Sequence, residues 1–304
     1  MKITAAAIQM PSEPMRVASN RDRADDLLRQ AYQSGAELIV LPEMYNTGYC
    51  KLPDYAPIAE DREGATLQLL RERSRAWDVS IAAGFVERDC HHLYDSLAYC
   101  TPEGSIHIYR KRRLVFWEWF SFSPGREPLV VSTRWGRIGF AICADMIYHD
   151  VWSGYRDRID LAIIAAAWPE FTNRISGRKH WLLGHIGAMA GEIPRKVSVD
   201  LGIPVVFANQ CGETKTTIPL LGARFADRFC GMSSICDGLN GRLVQADKDE
   251  RIVLGEMIVH SPKGPKSCRS TFVSAPAASS FIAERCLSDG SDRGSTVERT
   301  VAAR

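Results

Sequence analysis

The sequence predicts an α/β protein of stacked layers built on a mixed sheet. Residues 1–43 already hold a strand, a helix and a second strand. The strand and helix patterns recur further along the chain, and hairpin signals interrupt them. Antiparallel pairs must therefore join the parallel ones.

Taken in order, Ile3–Met10 is a short apolar run that Pro11 ends. Across Asn20–Ser34, Ala24, Leu27, Leu28, Ala31 and Tyr32 fall on one helical stripe, with Gly35 as the expected C-cap. Glu37–Leu41 is the second strand and runs straight into Pro42 and Glu43. Ala65–Trp77 reads as a helix and Val79–Glu87 as a strand. Tyr94–Thr101 and Ser105–Lys111 pair around Pro102-Glu103-Gly104, which has hairpin chemistry. Leu129–Ser132 and Arg137–Cys143 form another pair around Trp135-Gly136. Asp150–Arg158 is a short helix and Leu161–Ala167 a fully apolar strand. Arg178–Leu201 is a long helical stretch that Pro194 is expected to split. Pro204–Ala208 is a strand, Met232–Asp237 and Arg242–Ala246 a late hairpin, and Ile252–Val259 a last strand.

A length of 304 residues allows about two domains or one large one. No shift of composition appears over 1–260, so one domain is expected there. Residues 261–304 are rich in Ser, Ala, Arg and Pro and are expected to form an extended or partly disordered tail. A formal net charge of +2 gives no global argument for a nucleic-acid partner. The opening MKITAAAIQM soon turns polar, and no apolar run approaches the roughly 20 residues of a membrane span. A cytoplasmic protein without membrane contact is the expectation. The 9 cysteines form no C-x-x-C pair, so neither a zinc site nor a disulfide framework is expected.

Three polar residues follow apolar strands: Glu43 after ELIVLP, Lys111 after SIHIYR and Cys143 after IGFAI. Strand ends hold side chains firmly, and α/β folds place their sites there. The three are chemically complementary. A carboxylate takes a thiol proton, and a lysine stabilises thiolate and oxyanion. Each also has an ordinary reading: a solvated loop glutamate, a member of the basic run Arg110–Arg113, and a buried apolar cysteine.

The surrounding segments bear on that choice. LIVLPEMYNTGY, IYRKRRLVFWEWFSFSPG and GRIGFAICADMIY resemble, in order, the three signature segments of the nitrilase superfamily, the carbon–nitrogen hydrolases. AIQM, VVFANQCG and FCGMSSICDGLNGRLV resemble that family too, so the likeness covers about residues 1–260. It implies a four-layer αββα sandwich of the nitrilase type. It implies Glu43 as general base, Lys111 as oxyanion stabiliser and Cys143 as nucleophile, with Glu118, ahead of Phe122-Ser123-Pro124-Gly125, as a second structural or catalytic glutamate that helps Glu43 activate water. Trp168 falls where the family lines its pocket; Tyr49 and Tyr148 are further pocket candidates, and the N–H of Ala144 is the expected oxyanion donor.

The implied reaction hydrolyses a non-peptide carbon–nitrogen bond through a thioester, with no metal and no organic cofactor. Ala144-Asp145 stands where nitrile-hydrolysing members carry Trp-Glu, which favours a small-molecule amide or carbamoyl substrate. Tyr148-His149-Asp150 departs from the family's Phe-Pro-Glu. A nitrilase or acyltransferase using the same three residues, and a non-catalytic scaffold of the same fold, stay open as alternatives. A papain-like pair with His149 or His180 and an arginine-rich nucleic-acid binder are weaker rivals. Association into a homodimer or larger homo-oligomer is expected.

Overall fold

The computed structural model describes residues 1–50, 54–170, 181–217, 224–239 and 241–260. The predicted tail 261–304 and His180 lie outside the described residues. The first half comprises β1 (Lys2–Gln9), α1 (Val17–Gln33), β2 (Leu38–Val40), α2 (Ala65–Trp77), β3 (Ser80–Asp89), β4 (His92–Cys100), β5 (Ile106–Arg110) and the single turn α3 (Glu118–Ser121). The second comprises β6 (Val130–Thr133), β7 (Gly136–Ile142), a 3-10 turn (Cys143–Ile147), α4 (His149–Ser153), β8 (Leu161–Ala166), α5 (Trp181–Leu201) and β9 (Val205–Asn209). It closes with β10 (Cys211–Thr217), β11 (Arg224–Cys230), β12 (Ser234–Asp237), β13 (Gly241–Gln245) and β14 (Arg251–Ile258).

Two six-stranded mixed sheets result, in the orders β14-β1-β2-β3-β4-β5 and β13-β12-β9-β8-β7-β6. In each, a parallel trio (β1-β2-β3, β7-β8-β9) is flanked by antiparallel neighbours. Alternation along the strands assigns the faces. Ala6 and Ile8 of β1 pack outward with Ile39 and Ile81 against Ala24, Leu27, Leu28 and Ala31 of α1 and Leu67 and Leu70 of α2. Ala5 and Ala7 face the other way, with Leu38, Val40, Leu97 and Tyr99, into the core shared with Ile138, Phe140, Ile142, Ile164 and Phe207 of the second sheet. Helix α5 covers the far side of that sheet, with Ala190 and Val197 in the core. The layers therefore run helix, sheet, sheet, helix, the expected sandwich. Among the described residues no helix is long and apolar enough to cross a membrane.

Two expectations change. Pro194 lies inside a continuous helix rather than dividing it. It removes one N–H from a helix of 21 residues, and the packing of Ala190 and Val197 on either side outweighs that loss. The hairpin of β10 and β11 was not expected at all. Its first strand, CGETKTT, has no apolar alternation to announce it.

Phe140 and Tyr99 meet across the two sheets at a ring separation of 5.5 Å. Phe140→Ala is expected to lower unfolding free energy in urea by about 3–5 kcal/mol. Phe120, 81% exposed, serves as the contrast: Phe120→Ala should change it by less than about 0.5 kcal/mol.

Candidate active site

Four residues singled out in the sequence converge between the sheets. Glu43 sits just past β2, where the chain bends over β3. Gly84 permits that bend: a Cβ there would lie 2.5 Å from Glu43 Cα and 2.7 Å from Met44 N. The neighbouring strand therefore holds the backbone of Glu43 in place, and Gln210 Nε2 donates to its carbonyl at 2.7 Å. Lys111 follows β5. Its carbonyl accepts from the N–H of Gly125, and a Cβ on Gly125 would collide with Arg110 O. That contact is the structural use of the Pro124-Gly125 pair.

The Lys111 ammonium is fully buried. Its Nζ donates to Glu43 Oε1 at 2.6 Å and to Glu118 Oε1 at 2.7 Å, and lies 3.2 Å from Asp95 Oδ2. Burial opposes its charge, but Glu118, Glu43 and Asp95 outweigh burial and hold its pKa well above the ordinary lysine value. Glu43 Oε2 accepts the Ala167 N–H at 2.5 Å. Glu118 Oε2 accepts the Val115 N–H at 3.0 Å, and its Oε1 also accepts the Tyr49 hydroxyl at 2.9 Å. Burial raises the Glu118 pKa, Lys111 opposes the rise and Glu43 adds to it.

Cys143 comes from the opposite sheet, one residue past β7. Its φ of +47° places a non-glycine residue in the left-handed region, a local strain that the surroundings must hold. Asp145 does much of the holding. Its buried carboxylate accepts from Ile142 N (3.1 Å), Arg113 N (2.8 Å), Arg112 N (3.2 Å) and the Tyr109 hydroxyl (2.8 Å). One side chain thus ties the Cys143 turn to the segment that carries Lys111. Burial pushes the Cys143 thiol well above its usual pKa; Glu43 and Glu118 push the same way, while Lys111 and the Ala167 N–H oppose them. Cys100, Cys211, Cys230 and Cys236 are also raised by burial, but none of them faces this carboxylate and lysine set.

The pocket candidates are placed as follows. Trp168 follows β8, is buried in the same core cluster as Cys143, and its N–H donates to Asn209 Oδ1 at 2.8 Å. Tyr148 is half-buried with the Arg113 guanidinium 5.3 Å over its ring. Ala144 lies buried in the turn just after Cys143. The basic run is not an open patch. Arg110 binds Glu87 at 2.7 and 2.8 Å and Asp89 at 2.6 Å, while Arg112 and Arg113 both pair with Asp150. Asp95 and Asp145 were missed as site residues. Period-two alternation on β4 was the available signal for Asp95, since it shares a face with the core residues Leu97 and Tyr99.

The carbon–nitrogen hydrolase family model matches residues 4–259, and the chain belongs to that family. A nitrilase of Pyrococcus abyssi is 33% identical over 150 residues, 48% of this chain and 57% of that protein. An omega-amidase of Mus musculus is 24% identical over 265 residues, 83% of this chain and 87% of that protein. Among solved structures, an amidase of Nesterenkonia sp. AN1 with acrylamide added at its active-site cysteine superposes with a TM-score of 0.68. That structure is 19% identical, covers 86% of this chain and 93% of its own, and shares the fold.

The charges around the thiol set the direction of two changes. Replacing Lys111 with Met should move the pH midpoint of Cys143 alkylation by iodoacetamide upward, and Glu118→Gln should move it downward, both read by mass spectrometry of the labelled peptide. Asp145→Ala should orphan three buried N–H groups and lower unfolding free energy by about 3 kcal/mol or more.

Proposed function

We propose that the protein is an amidase-type hydrolase acting on a small amide or carbamoyl compound through a thioester on Cys143. The observation that carries this reading is the buried meeting of Cys143, from one sheet, with Glu43 and Lys111 from the other. Relatives named omega-amidase and the fold shared with a cysteine-modified amidase support it. So does Ala144-Asp145 after the thiol.

In this reading Glu43 takes the thiol proton as sulfur attacks the carbonyl carbon. Negative charge gathers on the former carbonyl oxygen and is met by Lys111 and the Ala144 N–H. Glu43 passes its proton to the leaving nitrogen as the carbon–nitrogen bond breaks. Water, deprotonated by Glu43, then attacks the thioester, and the acid leaves as Cys143 regains its proton. Glu118 keeps Lys111 in place, anchored in turn by Tyr49 and the Val115 N–H.

Ammonia release from a panel of primary amides, N-carbamoyl compounds and nitriles tests the reading. Wild type should turn over an amide or carbamoyl compound, and Cys143→Ala should lose at least about 10⁴-fold in rate, as removal of a nucleophile does elsewhere. Hydroxylamine added during turnover should trap the thioester as a hydroxamate. Ammonia release that persists in Cys143→Ala would sink the mechanism, and turnover confined to nitriles would replace amidase with nitrilase.

A further inference from the structure

Three carboxylates and one ammonium share this site, and that count does not balance. Oxygens of Glu43, Asp95 and Glu118 all lie within 4.8 Å of one another. All three residues and Lys111 are buried. With every group ionised the cluster carries two uncompensated negative charges out of reach of water, before any thiolate forms. Desolvated like charges at this range do not all stay ionised.

The hydrogen bonds indicate which group departs from ionisation. Glu43 accepts from Lys111 and the Ala167 N–H, and Glu118 from Lys111, Tyr49 and the Val115 N–H. Asp95 has no such support. Among the described residues neither of its side-chain oxygens receives a hydrogen bond, although both are buried. Among the described residues its one ionic partner is Lys111, at the longest of the three separations, 3.2 Å against 2.6 and 2.7 Å. It sits on β4, between β3 and β5, and is faced by Glu43 past β2, Lys111 past β5, Glu118 on α3 and the phenol of Tyr55. Oxygens of Asp95 and Glu43 approach within 4.8 Å, and the ammonium that reaches both hydrogen-bonds only Glu43 of the two, so a proton shared by the two carboxyls relieves the repulsion that remains.

We propose that Asp95 is a positioning residue that holds a proton at neutral pH and donates it as a hydrogen bond to Glu43. The neutral acid brings the cluster to a net charge of −1 and fixes the Glu43 carboxylate. Burial and the neighbouring Glu43 both push the Asp95 carboxyl well above the usual range, against the pull of Lys111. The proton belongs to the Asp95–Glu43 pair as a coupled unit, with Asp95 its resting holder.

The test is infrared spectroscopy of the whole protein at neutral pH. Wild type should show a protonated-carboxyl C=O stretch, shifted in deuterium oxide, that is missing in Asp95→Asn. The amide also mimics the neutral acid, so Asp95→Asn should leave the rate of Cys143 alkylation by iodoacetamide at neutral pH near that of wild type. Differences should emerge only at alkaline pH, where wild-type Asp95 ionises. No such band in wild type at neutral pH overturns the proposal, and so does a band that persists in Asp95→Asn. A rise of about tenfold or more in the alkylation rate of Asp95→Asn at neutral pH would mean that a charged Asp95 had been removed, and would overturn the proposal. Should Asp95→Asn fail to fold, Asp95→Ser takes its place, with the same loss of the band expected. The inference rests on Glu43 being the base of the proposed reaction. Neither readout needs a substrate, so a silent substrate panel would count against the reaction and not against the proton.

Discussion

The buried ammonium of Lys111 is the constraint around which this site is built. A lone lysine in an apolar interior would lose its charge. This one keeps it because Glu43 and Glu118 bind it, and with Asp95 they arrive from three different places: the bend after β2, the turn α3 and the middle of β4. The converse also holds, since those acids could not be buried without the ammonium. None of the four positions has meaning alone, and all four are fixed by the order of strands in the first sheet. The second sheet contributes little by count but supplies the Cys143 thiol and the Ala167 N–H that faces both the thiol and Glu43. The site exists only where the sheets meet, so the apolar core between them positions the site as well as stabilising the fold.

Strain and rigidity are arranged to match. Cys143, Met44 and Phe116 all take left-handed backbone conformations, and each lies in a segment that carries a site residue. A side chain projected from such a turn points where a regular strand or helix would not send it. Holding it there requires a rigid frame. Asp145 supplies that frame for the thiol by binding both the end of β7 and the backbone just after Lys111. Nucleophile and ammonium therefore cannot drift apart without breaking a buried carboxylate's hydrogen bonds.

The sequence made the strands legible wherever apolar alternation or a Gly-Pro punctuation was strong. Ala65–Trp77 has the same bounds in the structure, and most strand ends agree to within one or two residues. What stayed hidden depends on long-range partners. The strand Cys211–Thr217 is polar and takes its shape from pairing with β11. Helix α5 survives Pro194 because of what it packs against. At the site, the residues that follow apolar strands were visible, since strand ends are where polar side chains stand out. Asp95 lies inside a strand, where an acid reads as an ordinary solvent-facing residue until the alternation with Leu97 and Tyr99 is followed. Asp145, two positions past the thiol, was seen in the sequence. Its work is to accept backbone N–H groups more than 30 residues away, which no local pattern displays.

The same electrostatics couple the proposed proton transfer to oxyanion binding. At rest Glu43 engages Lys111 at 2.6 Å, and burial and the acids around the thiol favour its neutral form. When sulfur attacks, its proton moves to Glu43 and the carboxylate becomes neutral. A neutral acid binds an ammonium far less strongly than a carboxylate does. The donor that Lys111 had committed to Glu43 is then released as negative charge appears on the substrate oxygen. The lysine need not choose between holding the base and stabilising the oxyanion, because the proton transfer makes the choice. A site with a less crowded lysine would offer its charge to the substrate earlier, strengthening ground-state binding as well. Here the surrounding carboxylates withhold that charge until the bond forms, which is when it lowers the barrier.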